Sequence, residues 1–233
     1  MEGRLTLTTS VSEFEKLTGL TITAADLKEY FLNPKYNIAP SAFLPVTTNL
    51  SPTVLSLSKW GLIPGWTTSS KNAKGLTSIS TLAFTDKPVL RQALSGKRCL
   101  IWCSGFHLWK DSPAGKIPFY VTLKSGKCFT IAGLWESWDE ESTNTCCVIT
   151  HNLSASVPFF KSEMPLVLAE GKRTEWLNEV SEPTNLLNAL SGMAETEFDY
   201  FPVSRKIIKS PENDAKFIQK IPYLVAEQTN MFS

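Results

Sequence analysis

The chain has no charge of one sign in excess: Lys+Arg total 23 and Asp+Glu 22 over 233 residues, a formal net charge of +1. A bulk electrostatic pull towards nucleic acid or membrane is therefore excluded, and any such binding needs a local patch. Long hydrophobic runs are lacking too. The longest, such as Cys99-Leu-Ile-Trp-Cys103, fall far short of a spanning helix. The opening Met-Glu-Gly-Arg-Leu-Thr has an acid at position two and no apolar core, so no signal peptide is expected. Only two histidines, His107 and His151, are available for acid–base work, and both lie in strand-like runs where a core role is the simpler reading. Gly-x-x-x-x-Gly-Lys-Ser/Thr, Gly-x-Gly-x-x-Gly, Gly-x-Ser-x-Gly and His-Glu-x-x-His are all missing. The paired acids of Asp139-Glu140-Glu141 read as a solvated turn. What remains is a soluble, cytoplasmic protein with no generic catalytic motif.

Cysteine is sparse and odd in number: Cys99, Cys103, Cys128, Cys146 and Cys147. This predicts reduced, buried thiols rather than a disulfide framework. Cys99, Cys103 and His107 on one strand would spread over roughly 26 Å, too far for one ion, so no metal and no cofactor is expected. Adjacent Cys146 and Cys147 should face opposite sides of a strand.

The 42% of hydrophobic residues suffices for one large domain or two small ones. Ser12-x-x-Glu15 predicts a capping box ahead of Phe14, Leu17 and Leu20, and Thr23-x-x-Asp26 a similar start for a helix over 24–31. Extended segments are expected over 36–39 and 53–60, with turns at Pro40, Pro45 and Pro52. The polar stretch 67–77 reads as an exposed loop. Thr85 should cap a helix with Val89, Leu90, Ala93 and Leu94 on one face, closed by Gly96. Strands over 98–104, 118–123, 128–135 and 143–150, spaced by turns about ten residues apart, suggest antiparallel hairpins closing on themselves. Helices over 173–180 and 182–190 and a strand over 199–204 complete the pattern. With no repeat and no composition break, a single α+β domain over 1–233 is predicted, with a β-barrel-like core of mixed sheets and peripheral helices.

Nine uncommon strings then appear in order: Met1-Glu-Gly-Arg4, Tyr36-Asn-Ile-Ala-Pro40, Trp60-Gly-Leu-Ile-Pro-Gly-Trp66, Arg98-Cys-Leu100, Gly105-Phe-His-Leu-Trp109, Ala132-Gly-Leu-Trp-Glu-Ser-Trp138, Met164-Pro-Leu-Val-Leu168, Trp176-Leu177 and Phe201-Pro-Val-Ser204. This series resembles the SOS response-associated peptidase (SRAP) family of abasic-site processing proteins, from residue 1 to about residue 220. The resemblance implies an N-terminal cysteine, exposed by loss of the initiator Met, whose amine and thiol trap the aldehyde of an abasic sugar as a thiazolidine. An Asn, a Glu and a His assist by positioning the amine and moving protons.

The sequence departs from that chemistry at each position. Glu2 stands for the cysteine, Ser78 for the Asn, Leu108 for the Glu and Lys161 for the His. Ser80 and Glu163 fall where the family carries arginines, and Leu82 where it carries a further Glu. No catalytic residue of the family is retained, and without a thiol at position two no nucleophile for peptidase-like self-processing is evident. Candidate DNA-binding positions are better kept: Arg4, Asn37, Pro40, Trp66 as a stacking surface, and the basic Arg205 and Lys206. Trp60, Trp109, Trp135 and Trp138 read as core.

Three readings follow. One is a catalytically degenerate member, a pseudoenzyme of the DNA-damage (SOS) response that binds single-stranded or abasic-site DNA without covalent crosslinking. Another is an abasic-site lyase using Lys161 as an imine-forming amine. A third is a structural or protein-interaction module with no nucleic-acid partner. None calls for a membrane.

Overall fold

The computed structural model describes residues 3–65, 75–113, 115–138, 143–152, 163–178 and 197–223. Thirteen strands and five α-helices are found there. β1 (Arg4–Leu7) leads into α1 (Val11–Thr18) and α2 (Ala25–Phe31), followed by β2 (Lys35–Ile38), β3 (Phe43–Thr48), β4 (Ser51–Trp60) and β5 (Ser78–Ser80). Next come α3 (Ala83–Asp86), α4 (Pro88–Gly96), β6 (Arg98–Cys103), β7 (Gly105–Lys110), β8 (Ile117–Leu123), β9 (Phe129–Trp138) and β10 (Thr143–Asn152). The chain finishes with β11 (Glu163–Pro165), β12 (Val167–Leu168), α5 (Arg173–Leu177) and β13 (Phe198–Pro202).

The expected closure is present. β10, β4, β3, β6 and β9 pair in that order, and β9 pairs back onto β10, which makes a ring. β11 and β12 extend this sheet, and β5 adds to β10. The seams are not all hairpins, however: β10 runs parallel to both β4 and β5. A second sheet, ordered β13-β8-β7-β1-β2, is entirely antiparallel.

Alternation along the barrel strands divides the apolar side chains into two cores. Cys99, Ile101, Cys103, Phe129, Ile131, Cys146 and Val148 join the larger one, with Leu5, Phe106 and Leu108 of the second sheet and Phe14 of α1. Leu100, Ala132, Leu134, Cys147 and Ile149 point the other way, under α4 and α5. Cys146 and Cys147 thus occupy different cores, as their adjacency requires. All five thiols are buried, and burial raises their pKa values, Cys128 to about 11 and Cys147 to about 12. Gly133 sits where β9 lies between β6 and β10. A Cβ there would come within 2.8 Å of the Cys147 carbonyl and 2.9 Å of Cys99 Sγ, so only glycine lets the ring close.

Several local expectations are corrected. The capping box of α1 is Ser10 with Glu13, not Ser12 with Glu15; Glu15 instead accepts from the Ile22 amide at 2.7 Å. Phe14 is fully buried all the same, worth about 1.5–3 kcal/mol of transfer energy. α2 starts after Ala24, which makes no side-chain cap. Thr85 lies inside α3 rather than capping α4, and Val89 is 48% exposed while Leu90 and Leu94 carry the buried face. Pro45 and Pro52 lie within β3 and β4 rather than in turns. Cys99 and Cys103 belong to β6 and His107 to β7 of the other sheet, so these three do not share a strand. α5 ends at Leu177, short of the predicted 180, and the helix expected over 182–190 lies outside the described residues. No helix among the described residues is long and apolar enough to cross a membrane.

Candidate nucleic-acid interface

Pairing in the second sheet builds one cluster of candidate residues. β1 registers Arg4 with His107 and Thr6 with Gly105 of β7. Alternation sends Leu5 and Leu7 into the core and leaves Arg4 and Thr6 on the other face. Arg4 is half-buried. Its Nη1 donates to the Gly3 carbonyl at 3.2 Å, while its buried Nε finds no acceptor among the described residues. Burial lowers its pKa, yet a guanidinium stays charged.

His107 beside it is fully buried. Its Nε2 lies 2.9 Å from the Phe217 carbonyl, which can only accept, so Nε2 carries the proton and Nδ1 is the unprotonated, unpartnered nitrogen. Burial pushes the His107 pKa down to about 4, against smaller upward pulls from the Phe217 carbonyl and the Arg4 backbone, with the Arg4 charge adding to the depression. The Tyr120 ring packs 5.1 Å from the imidazole, and its hydroxyl pairs with Thr6 Oγ1 at 3.0 Å. A side chain at Gly105 would overlap that ring, which fixes glycine there. Leu108, one residue on, turns to the opposite side and is 4% exposed in the large core.

Asn37 stands on β2, next to β1, and its Nδ2 donates to the carbonyls of Ser210 (2.9 Å) and Glu212 (2.8 Å). Asn213 returns the clamp, accepting from the Tyr36 amide at 2.7 Å and donating to the Pro34 carbonyl at 2.8 Å. Asn37 is therefore an anchor for the C-terminal segment, with Oδ1 buried and unpartnered. Pro40 precedes Ser41, whose φ of 74° lies in the left-handed region that a non-glycine residue rarely occupies; such strain collects at functional loops. Arg205 is half-buried and Lys206 exposed in the short helical turn Arg205–Ile208, capped by Ser204.

A second cluster of candidate residues lies at one end of the barrel sheet. β5 sets Ser78 against Val148 and Ser80 against Thr150 of β10. On the far side of β10, β11 sets Glu163 against Asn152. Thr150 is fully buried, and its Oγ1 donates to Glu163 Oε2 at 2.5 Å. Ser78, Ser80 and Glu163, distant in sequence, are thus gathered around one strand end. Arg4, Asn37 and Leu108 are gathered in the second sheet. Glu2, Trp66 and Lys161 lie outside the described residues. Trp60, Trp135 and Trp138 are buried as expected, and Trp109 is half-buried.

His107 takes the core place expected of it, while Thr150 as an organiser of Glu163 escaped the sequence reading. A threonine ending a β-rich run looks like an ordinary strand former, and only its pairing partners reveal what its hydroxyl holds.

Fold and site together define an α+β protein with a closed barrel, flanked by a sheet that holds a half-buried arginine beside a buried histidine. A family model described as SOS response associated peptidase (SRAP) matches residues 1–210. The abasic site processing protein YoqW of Bacillus subtilis (strain 168) is 32% identical over 221 residues, covering 92% of this chain and 97% of its own. The abasic site processing protein HMCES of Gallus gallus is 26% identical, covering 81% of this chain and 66% of its own. A crystal structure of a protein from Bacteroides thetaiotaomicron shares the fold with a TM-score of 0.81 at 20% identity, over 95% of this chain and all of that one. The chain belongs to the SRAP family.

Proposed function

We propose that this chain is a DNA-damage protein that binds single-stranded or abasic-site DNA non-covalently, the family's trapping chemistry having been lost. The contrast on two adjacent strands supports this most directly. β1 offers a cation, Arg4, with a buried donor still to be satisfied, and β7 offers Leu108, hydrocarbon buried in the core, where the resemblance places a proton-moving Glu. A phosphate oxygen would give Arg4 the acceptor it lacks. No rearrangement of Leu108 supplies a proton.

Ser78 cannot replace an Asn as a two-sided amide contact. Glu2 in place of a cysteine has no sulfur with which to close a thiazolidine. Binding without bond formation is what such a site can do.

The test is incubation with an oligonucleotide bearing one abasic site, followed by a denaturing gel and, in parallel, anisotropy on the intact strand. The expected outcome is salt-dependent binding with no denaturant-stable adduct. A robust adduct overturns the loss of chemistry. An adduct seen only after borohydride, and lost in Lys161→Ala, establishes the lyase instead. No binding at low salt leaves a protein-interaction module.

A further inference from the structure

We propose that Glu163 is a specificity-determining residue that opposes the phosphate backbone and holds the affinity of this site for DNA low; the inference rests on the DNA-binding reading above. Glu163 opens β11 at the end of the barrel sheet, and β10 links it to Ser80 through Thr150. Its carboxylate is pinned, because Thr150 Oγ1 donates to Oε2 from a fully buried position and the Thr150 carbonyl is itself held by the Thr81 amide at 2.8 Å. The carboxylate is also uncompensated: no cation pairs with it, and Oε1 has no partner, among the described residues.

A solvated surface carboxylate swings away from an approaching phosphate and is screened by salt. A half-buried one tied to a buried hydroxyl can do neither as well. Ser78 and Ser80 beside it contribute hydroxyl dipoles but no positive charge to offset it. Among the described residues, the strand end that gathers Ser78, Ser80 and Glu163 therefore presents one fixed negative charge. That charge sets how weakly a single strand is held there.

The experiment measures anisotropy of a labelled oligothymidylate with the full chain, Glu163→Gln and Glu163→Lys, between about 50 and about 200 mM salt. Gln keeps an acceptor for Thr150, so the fold is preserved, and thermal melts of the three proteins should coincide. Glu163→Gln should bind roughly 3- to 10-fold tighter at the lower salt, a change of about 0.6 to 1.4 kcal/mol. Glu163→Lys should bind tighter still, with a log–log salt slope steeper by about 0.7, as expected for one added phosphate contact on a single strand. Wild-type binding that neither substitution strengthens overturns the inference and leaves the DNA-binding reading standing. Absence of binding by all three proteins at the lower salt overturns the DNA-binding reading itself. Binding gained only in Glu163→Lys also overturns the inference, because an added cation then acts where removal of the carboxylate does not.

Discussion

Arg98 and Arg4 are both drawn out of water in this fold, and they are treated in opposite ways. Arg98, 1% exposed, begins β6 and spends its guanidinium on carbonyls alone. Nε donates to Trp176 (2.7 Å), Nη1 to Leu94 (2.6 Å) and Ser95 (2.5 Å), and Nη2 to Asn178 (2.5 Å). These acceptors end α4 and α5, where helices leave carbonyls unpaired and carry partial negative charge. One side chain thereby ties two helices to the barrel. Among the described residues Arg4 has one side-chain bond, to its neighbour Gly3, and a buried Nε with nothing to meet. A guanidinium whose three nitrogens all meet carbonyls is framework; one whose buried Nε meets none is the candidate for an anion under the reading proposed above.

The largest expected effect tests the framework side. Arg98→Ala leaves four buried or half-buried carbonyls without donors and should cost at least about 4 kcal/mol, at the upper end of single-residue losses. Urea unfolding would show this as a lower midpoint at unchanged slope. A loss below about 1 kcal/mol would break the comparison, because the carbonyl-bound arginine would then be no more structural than Arg4. Arg98→Lys should recover only part of the loss, since an ammonium cannot span the termini of two helices.

The next effect sharpens the comparison on the Arg4 side through its neighbour. His107 is buried neutral, with its folded pKa depressed to about 4 against an ordinary value of 6.5. As pH falls through 6.5 the unfolded chain takes up the proton and the native one does not. Stability contributed by neutral His107 is therefore complete above pH 6.5 and drains away down to about pH 4, by about 3 kcal/mol in all. Subtracting the profile of His107→Gln, whose amide can still donate to the Phe217 carbonyl, isolates this slope. A difference that is flat between pH 6.5 and 4 would mean that water reaches Nδ1 and that the Arg4 face is already wet.

Much of the framework was legible in the sequence, and the reasons for the gaps are local. β-rich runs separated by turns announced β6, β8, β9 and β10, and spacing between those turns announced their closure. β3 was hidden by Pro45, which is tolerated because β6 pairs only with Val46 to Thr48 and does not need an amide from the proline. The α1 cap was displaced because Ser10-x-x-Glu13 and Ser12-x-x-Glu15 both satisfy the pattern, and only packing chooses. The candidate site was legible as a set of substitutions along the chain. Which of them meet was not: Ser80 and Glu163 become neighbours of Thr150 through a parallel and an antiparallel pairing that no local pattern encodes. Asn37 shows the converse, a residue singled out for a ligand that the fold also uses to hold residues 210 and 212.

The smallest effect on stability belongs to Arg4, and it is the one that joins the comparison to function. Arg4→Gln removes a charge that makes a single, short-range hydrogen bond, so unfolding should shift by less than about 1 kcal/mol in either direction. Relief of an unsatisfied buried donor offsets what little is lost. Oligonucleotide affinity should nonetheless fall about tenfold at low salt, with a log–log salt slope shallower by about 0.7 for the one phosphate contact removed. The pairing of a near-silent melt with a changed salt slope is the signature of a cation kept for a ligand. A melt lowered by several kcal/mol with an unchanged slope would instead place Arg4 beside Arg98 as framework, and the donor left over at Nε would have to be satisfied by the protein's own solvent.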